Sequence, residues 1–252
     1  MDAVATELAA HLVQRLEQTP TDARLLIGIS GIPASGKSTL TVLITNATNQ
    51  LLEARRQSSN TDGSHGPVFL SNASNVRALH VGLDGWHLTR AQLDAFPDPK
   101  LAHDRRGIHW TFDGPAYLAF VQALRNPLTP ATTTITAPSF DHALKDPTPH
   151  AIFILPDHRI VLIEGLYTFL SIPPWSEAGL LLDERWFVEL DVVKASRRLV
   201  KRHVLSGVAK DLEEAQWRAD ENDMPNGHFI ISNLLEPTRV IPSVEDPVLA
   251  VP

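Results

Sequence analysis

Cysteine is absent from the chain, and its absence excludes disulfide bonds, thiol catalysis and zinc sites built on thiolates. A surplus of positive charge is missing too, because 22 Lys and Arg residues stand against 29 Asp and Glu residues, for a net charge of −7. Proteins that coat nucleic acid usually carry a basic face or stripe. The sequence therefore predicts no nucleic-acid partner.

Long hydrophobic runs are also lacking. No segment reaches the ~20 apolar residues needed to cross a bilayer, and residues 1–18 lack the basic start and apolar centre of a secretion signal. Hydrophobic residues still make up 43% of the 252 residues, which is ample for a buried core. We expect one cytoplasmic domain over residues 1–252, with a substrate-side segment at about 85–158, a lid at about 194–226 and a tail at 237–252.

The chain is organised around a glycine-rich turn between an apolar run, residues 25–30, and a segment of helical periodicity, residues 39–55. A strand, a glycine loop and a helix in this order predict a phosphate-binding loop, because backbone N–H groups and the positive end of the helix attract an anion. A chance glycine loop is the alternative. The residues expected to bind the nucleotide are Gly31, Ile32, Pro33, Ala34, Ser35, Gly36, Lys37, Ser38 and Thr39.

Two side chains of this loop have specific predicted roles. Lys37 is expected to reach the β- and γ-phosphates of a nucleoside triphosphate, and the Ser38 hydroxyl is expected to coordinate Mg²⁺, which prefers oxygen ligands. A GTPase would in addition need an Asn-Lys-x-Asp motif to read its base, and the sequence contains none.

An acid follows each of two further apolar runs: Asp84 follows residues 76–83 and Glu164 follows residues 160–163. Ligands of open α/β sheets lie beyond the carboxyl ends of the strands, so both carboxylates are expected at the rim that carries the glycine loop. Asp84 is the candidate base for an attacking hydroxyl, and Glu164 is the candidate ligand of Mg²⁺ or its water. A capping Asp in a turn is the alternative for Asp84, since Asp-Gly is common in turns.

The chain around and between these acids carries the candidate substrate contacts. Pro97 and Pro99 exclude one continuous helix over residues 89–112, which favours an irregular pocket wall. Arginines there can neutralise a substrate, tryptophans can stack on a ring, and histidines can move protons. A core, structural or solvated role is the alternative for each. The candidate substrate-binding residues are Asp84, Trp86, His87, Arg105, Arg106, His142 and Tyr167.

Two further patterns complete the secondary-structure prediction. Residues 151–155 and 160–163 flank a Pro-Asp turn, which predicts an antiparallel hairpin whose second strand enters the sheet. Residues 194–205 predict a helix with basic residues at three- and four-residue steps. Such a helix suits a lid that closes over phosphates, and a plain solvated helix is the alternative.

These motifs together resemble the uridine kinase, pantothenate kinase and phosphoribulokinase-like group of P-loop kinases, and most of all its fungal and bacterial nucleoside/nucleotide kinase family proteins. The glycine loop is shared by many families. Its combination with Asp-Gly-aromatic at 84–86, Arg-Arg-Gly at 105–107, Thr-Phe-Asp at 111–113 and Glu-Gly-Leu-Tyr at 164–167 is more specific. The resemblance covers most of the chain between residues 25 and 233.

The resemblance implies a three-layer α/β/α P-loop NTPase fold around a five-stranded parallel sheet of order 2-3-1-4-5, with a substrate-side insertion and a helical lid. It also implies ATP and Mg²⁺ as cofactors, Asp84 as the base, Glu164 as the second acid near the metal, and Arg198 and Arg202 as lid arginines. The expected catalytic residues are Asp84, Lys37, Arg198 and Arg202.

The expected function is transfer of the γ-phosphoryl group of Mg-ATP to a hydroxyl of a small nucleoside-, pantothenate- or sugar-like metabolite. Uridine kinases carry Ser and Phe-Tyr where Gly85, Trp86 and His87 follow the acid here, so the acceptor stays open. One alternative is an ATPase or switch that acts on a protein partner, and another is a protein that binds ATP without transferring it. The oligomeric state is open as well, a homodimer included.

Overall fold

Strands and helices alternate along the chain in the computed structural model, which describes residues 1–61, 75–141 and 144–244. The strands are β1 (Leu25–Gly31), β2 (Arg77–Gly82), β3 (Ile135–Asp141), β4 (Asp146–Ile154), β5 (His158–Glu164), β6 (Glu184–Glu189) and β7 (Arg239–Pro242). The helices are α1 (Asp2–Glu17), α2 (Lys37–Thr61), α3 (Arg90–Asp94), α4 (Pro99–Asp104), α5 (Gly114–Leu124), α6 (Trp175–Leu180), α7 (Val192–Leu205), α8 (Leu212–Arg218) and α9 (Met224–Ser232). None of the helices in the described part of the chain combines the length and apolarity of a membrane span.

Five parallel strands form the central sheet, in the order β2-β5-β1-β6-β7. When only these strands are numbered along the chain, the order is 2-3-1-4-5, which confirms the predicted topology. All seven residues of β1 are buried, as expected for a central strand that is covered on both faces. The apolar runs at residues 25–30 and 160–163 thus become inner strands of the sheet, and the run at 76–83 becomes an edge strand.

Helices cover both faces of the sheet and make the three predicted layers. On one face, α1 and α2 pack against β1, β5 and β6 through residues such as Leu8, Leu12 and Ile44. On the other face, α5 and α6 pack through residues such as Tyr117 and Trp175. The functional rim therefore has a rigid base, because the strands beneath it are fixed from both sides.

The predicted hairpin between residues 151–155 and 160–163 is wrong. Strand β4 pairs antiparallel with β3 in a separate two-stranded sheet, where Ile135 faces Ile154. Strand β5 already has a parallel neighbour on each side, β1 and β2, so it has no unpaired edge for β4. The β3–β4 hairpin belongs to the substrate-side segment and not to the central sheet.

The fifth strand lies in the predicted C-terminal tail. Strand β7 has only four residues and pairs parallel with β6, with Trp186 facing Arg239. Directly after it, Ser243 donates a hydrogen bond from Oγ to the Ser35 carbonyl, at 2.8 Å. The end of the sheet thus supports the glycine loop.

Candidate active site

The glycine loop turns tightly between β1 and α2. Ala34 and Gly36 both have positive φ angles, of 62° and 84°, a conformation that strains most residues other than glycine. A Cβ on Gly31 would lie 2.6 Å from Ser35 Oγ and 2.8 Å from the Val188 carbonyl oxygen. The first glycine is therefore required by space and the second by backbone conformation. The α2 helix begins directly after this turn, which gives the geometry of an anion-binding loop.

Lys37 lies at the centre of the charged groups of the rim. Burial lowers the pKa of its ammonium group below the ordinary lysine value, while the carboxylates of Glu164 and Asp84 raise it and Arg202 lowers it. All three charged side chains are thus within electrostatic reach of Lys37. Among the described residues, no carboxylate forms an ion pair with it. A partly buried cation of this kind is suited to bind the phosphates of a nucleotide.

Glu164 connects the tip of β5 to the glycine loop. It is 8% exposed, and its Oε1 accepts a hydrogen bond from Ser38 Oγ at 3.0 Å. Burial raises the pKa of Glu164, but His80, Lys37 and Ser38 together outweigh burial and keep this pKa below the ordinary glutamate value. His80 Nε2 lies 3.8 Å from Oε2, which is too long for a hydrogen bond. Glu164 is therefore an ionised, incompletely bonded carboxylate.

These oxygens fit the chemistry of Mg²⁺. An exposed serine hydroxyl and an ionised carboxylate lie side by side, and both are hard oxygen donors. No group of three or more Asp, Glu or His side chains arranged to hold a metal occurs among residues 1–61, 75–141 and 144–244. Mg²⁺ commonly takes one or two protein ligands together with water and substrate phosphates. Ser38 and Glu164 are the residues that would hold it.

Asp84 lies in a turn of 3₁₀ helix that follows β2, Leu83–Trp86. Its side chain is 48% exposed, so a substrate can approach it. The His87 ring fixes this turn because its Nδ1 donates to the Asp84 carbonyl at 2.9 Å; a carbonyl can only accept, so Nδ1 carries the proton. The Asp84 carboxylate is therefore exposed to solvent, while the hydrogen bond from His87 fixes the backbone of the turn.

The glycines that follow the two acids allow close packing of the turns that carry them. A Cβ on Gly165 would lie 2.3 Å from Leu83 Cβ, and a Cβ on Gly85 would lie 2.3 Å from the Pro138 carbonyl oxygen on β3. In the sheet, Gly82 of β2 faces Glu164 of β5. The Asp-Gly and Glu-Gly turns thus pack against each other at neighbouring strand ends, as the sequence predicts for carboxylates of one site.

The two predicted lid arginines lie on α7 but have different surroundings. Arg198 donates from Nη1 to the Ala34 carbonyl at 3.3 Å and to Ser243 Oγ at 2.9 Å, so it supports the glycine loop from its outer side. Arg202 is exposed one helical turn later and acts electrostatically on Lys37. Arg202 is therefore the better placed of the two to meet a phosphoryl group.

Two of the predicted substrate-binding aromatic residues belong to the core. Trp86 is 4% exposed and packs against Tyr117 and Phe120, with ring centroids 5.5 and 4.9 Å away. Tyr167 is fully buried, its hydroxyl donates to the Gly107 carbonyl at 2.7 Å, and burial raises the pKa of its phenol. Both rings are enclosed in the core, and their role as substrate contacts stays a prediction. Apolar packing outweighed stacking at both positions.

His87, predicted as a substrate contact, is also largely enclosed. Its side chain is 13% exposed, and its ring lies between Phe112 and Phe140 at centroid distances of 3.9 and 4.8 Å. Its observed contacts hold the Asp84 turn. His87 therefore supports the Asp84 turn, and its predicted substrate contact stays a prediction.

The two neighbouring arginines of the substrate-side segment bind backbone. Arg106 donates to the carbonyls of Leu88 and Lys145 and, at 3.1 Å, to Asp146 Oδ1, and so joins the β3–β4 hairpin to the chain before it. These bonds give Arg106 a structural role, and its predicted substrate contact stays a prediction. Arg105 donates from Nη1 to the Glu221 carbonyl in the lid. His142, the remaining predicted contact, lies outside the described residues.

Three residues around the site are not among the predicted site residues: His80, Ser243 and Asp223. His80 lies inside an apolar strand and faces Glu164, and a histidine in such a run is a signal that can be noticed beforehand. Ser243 bonds the glycine loop from the end of β7, and Asp223 bonds His203 of α7. Both are distant in sequence from the glycine loop, so no local pattern indicated them.

Comparisons with known proteins agree with this geometry. No protein-family model matches the chain. The chain is 48% identical over 160 residues to the ATP-dependent kinase-like protein notR' of Aspergillus versicolor, which covers 64% of this chain and 93% of that protein. It is 34% identical over 218 residues to a provisionally named uridine kinase of Schizosaccharomyces pombe, covering 86% of this chain and 83% of that one. The chain belongs to the uridine kinase-like group of P-loop kinases.

A solved structure supports the fold of this P-loop kinase. The crystal structure of YFH7 from Saccharomyces cerevisiae, described as a P-loop kinase with a circular permutation, superposes with a TM-score of 0.79 at 23% identity. The match covers 96% of this chain and 99% of that chain. Family membership makes the protein an ATP-dependent phosphotransferase. The three-layer fold and the predicted family are both confirmed.

Proposed function

We propose that this kinase transfers the γ-phosphoryl group of Mg-ATP to a hydroxyl group of a small metabolite. The observation that carries the proposal is the pair of carboxylates, Asp84 and Glu164, on packed strand ends beside the cationic Lys37. One carboxylate is ionised and bonded to the loop serine, and the other is exposed. Two acids in such different surroundings suit two tasks, metal binding and proton acceptance.

Each residue of the rim has a role in this proposal. The backbone of residues 31–39 binds the phosphates, and Lys37 neutralises the β- and γ-groups. Bound Mg²⁺, held by Ser38 and Glu164, would supply charge neutralisation on the phosphates. Asp84 accepts the proton of the attacking hydroxyl, and Arg202 faces the transferred group from the lid. Catalysis then depends on position and charge rather than on a covalent enzyme intermediate.

The acceptor is a nucleoside-, pantothenate- or sugar-like alcohol. A hydroxyl must come within hydrogen-bond reach of Asp84 for its proton to be removed, and the exposed carboxylate permits this approach. A panel of nucleosides, vitamins and sugars, assayed for acceptor-dependent ADP release, identifies the compound. If ADP release instead responds to a macromolecule and to no hydroxyl compound, the ATPase alternative replaces the kinase proposal.

The decisive variant is Asp84→Asn, compared with Asp104→Asn as the matched control. Asp104 is an exposed acid of α4 whose side chain pairs with Lys100. We expect Asp84→Asn to lower acceptor-dependent turnover by a factor of 100 or more while ADP binding, measured by calorimetry, persists. Asp104→Asn should leave both unchanged. If Asp84→Asn retains full turnover, Asp84 is not the base.

A further inference from the structure

One hydrogen bond joins the lid to the substrate-side segment. Arg105, at the end of α4, donates from Nη1 to the backbone carbonyl of Glu221. Glu221 belongs to a π turn, Ala219–Asp223, inserted between α8 and α9. The two residues are 116 positions apart in the chain, so the bond connects segments that are distant in sequence.

Pro225 removes the α-helical donor of the Glu221 carbonyl. In an α-helix the carbonyl of residue 221 would accept from the N–H of residue 225, but proline has no N–H. The helix widens just before the proline: the Met224 N–H bonds the Ala219 carbonyl, five residues back instead of four. The charged guanidinium of Arg105 donates to this carbonyl, and π turns of this kind are frequent at functional sites.

The pocket wall formed by residues 105–113 is also held at other points. The Tyr167 hydroxyl, three residues after Glu164, donates to the Gly107 carbonyl. The ring of His109 stacks on Phe229 of α9, with centroids 4.6 Å apart and planes within 5° of parallel. One side of this wall therefore contacts the end of β5 and the other side contacts the lid.

Helix α9, which continues from the predicted lid, contacts the glycine loop. A Cβ on Gly227 of α9 would lie 3.5 Å from Ile32 Cβ, so this helix packs directly on the loop. Within the π turn, Asp223 pairs with His203 of α7 at 2.8 Å, and α7 carries Arg198 and Arg202. These contacts form a closed ring. The glycine loop contacts α9, α9 contacts the wall at residues 105–113, the wall contacts Tyr167 after β5, and Glu164 at the end of β5 bonds the glycine loop.

We propose that Arg105 is a positioning residue that couples nucleotide binding to the acceptor side. It holds the Glu221 carbonyl, to which Pro225 cannot donate, and so sets the lid against the wall at residues 105–113. Only the nucleotide-dependent part of this inference rests on the proposed function.

The first experiment uses the full chain without nucleotide and follows amide hydrogen exchange in residues 99–113. The variants are Arg105→Ala, Pro225→Ala and their combination. Alanine at 225 supplies an N–H that can bond the Glu221 carbonyl within the helix and draw it away from Arg105, so both changes weaken the same contact. We expect exchange about tenfold faster in each single variant, as for loss of a hydrogen bond to a charged group, and no faster in the double variant.

Two controls separate this coupling from general destabilisation. Arg218→Ala removes an arginine of α8 that pairs with Glu214 one turn away, and it should leave residues 99–113 unchanged. Arg105→Lys keeps a donor and should restore part of the protection. Unchanged exchange in Arg105→Ala, or additive effects of the two single substitutions, would overturn the proposal.

The second experiment adds Mg²⁺ and a non-hydrolysable ATP analogue. In the wild type we expect protection at residues 31–39 and also at 99–113; in Arg105→Ala we expect protection at 31–39 alone. With an identified acceptor, Arg105→Ala should raise KM for the acceptor more than KM for ATP. Absence of protection at 31–39 contradicts the proposed function. Protection there without a wild-type response at 99–113 contradicts only this inference.

Discussion

Two glutamates of the central sheet show how its two ends differ. Glu164 is the last residue of β5, at the functional rim, and Glu184 is the first residue of β6, at the other end of the strands; each is 8% exposed. Burial raises the pKa of each carboxyl, yet neighbouring donors outweigh burial in both cases and the pKa lies below the ordinary value. Burial and ionisation are therefore alike at the two positions.

Their bonding differs. Glu184 accepts from His11 Nε2 at 2.8 Å and Arg15 Nε at 3.0 Å through Oε1, and from Trp186 Nε1 at 2.6 Å through Oε2, which fastens α1 to β6. Glu164 accepts a hydrogen bond from Ser38 Oγ at 3.0 Å, whereas His80 Nε2 lies 3.8 Å from Glu164 Oε2, beyond hydrogen-bond distance. His80 Nε2 is buried without a hydrogen-bond partner among the described residues. A saturated carboxylate stabilises the fold, whereas an unsaturated one keeps capacity for a ligand.

The largest expected effect is on turnover in Glu164→Gln. The neutral amide keeps the shape of the side chain but loses the charge proposed to hold Mg²⁺, so acceptor-dependent ADP release should fall by about 100-fold or more. The thermal midpoint should change little. Glu184→Gln, the matched control, should retain turnover per folded molecule. Equal activity of both variants would remove the contrast between the two glutamates.

The next effect in size is on stability in Glu184→Ala. Three donors lose their acceptor, one of them the indole of the fully buried Trp186, which should cost about 2–4 kcal/mol of the free energy of unfolding. Urea denaturation measures this loss. If the variant instead keeps its stability and loses activity, Glu184 serves the active site and does not stabilise the fold.

A smaller effect is expected on stabilisation by ligand. At 100 times the dissociation constant, Mg-ADP should add about 2.7 kcal/mol to the free energy of unfolding of the wild type and of Glu184→Gln. In Glu164→Gln the part that depends on Mg²⁺ should be absent, and a chelator should remove it from the wild type. A chelator-insensitive midpoint would argue against a metal at Ser38 and Glu164.

The smallest effect is on acid stability. Since the folded-state pKa of Glu184 lies below its unfolded value of about 4.5, its contribution is present above that pH and is lost as pH falls through the folded pKa. Glu184→Gln should therefore show a shallower loss of stability than the wild type below about pH 4.5. Urea midpoints measured from pH 6 to roughly pH 3 test this; parallel curves would contradict it.

The fold was predictable where local patterns carry it. Mostly apolar runs marked β1, β2 and β5, and the glycine loop marked where β1 ends. Strand β7 escaped prediction because Arg239–Pro242 is short and partly exposed and ends in proline, so it has no apolar run. The misplaced hairpin had correct strands but the wrong partner, since pairing depends on which sheet edges are already occupied.

The site was predictable in its acids and less so in its arginines and aromatics. Asp84 and Glu164 follow directly from strands, so the sheet fixes where they emerge. Arg105 and Arg106 lie in an irregular segment, and their partners, Glu221 and Asp146, are distant in sequence. Trp86 turns inward because the core offers Tyr117 and Phe120. No sequence pattern states which way such a ring faces.

The most direct test is a crystal structure with Mg²⁺ and a non-hydrolysable ATP analogue. We predict that the triphosphate lies on residues 31–39 with Lys37 at its β- and γ-phosphates, that Ser38 Oγ is a metal ligand and Glu164 binds the metal or its water, and that Asp84 faces the γ-phosphate. Nucleotide bound away from this loop, or an Asp84 carboxylate turned from the γ-phosphate, would contradict the account.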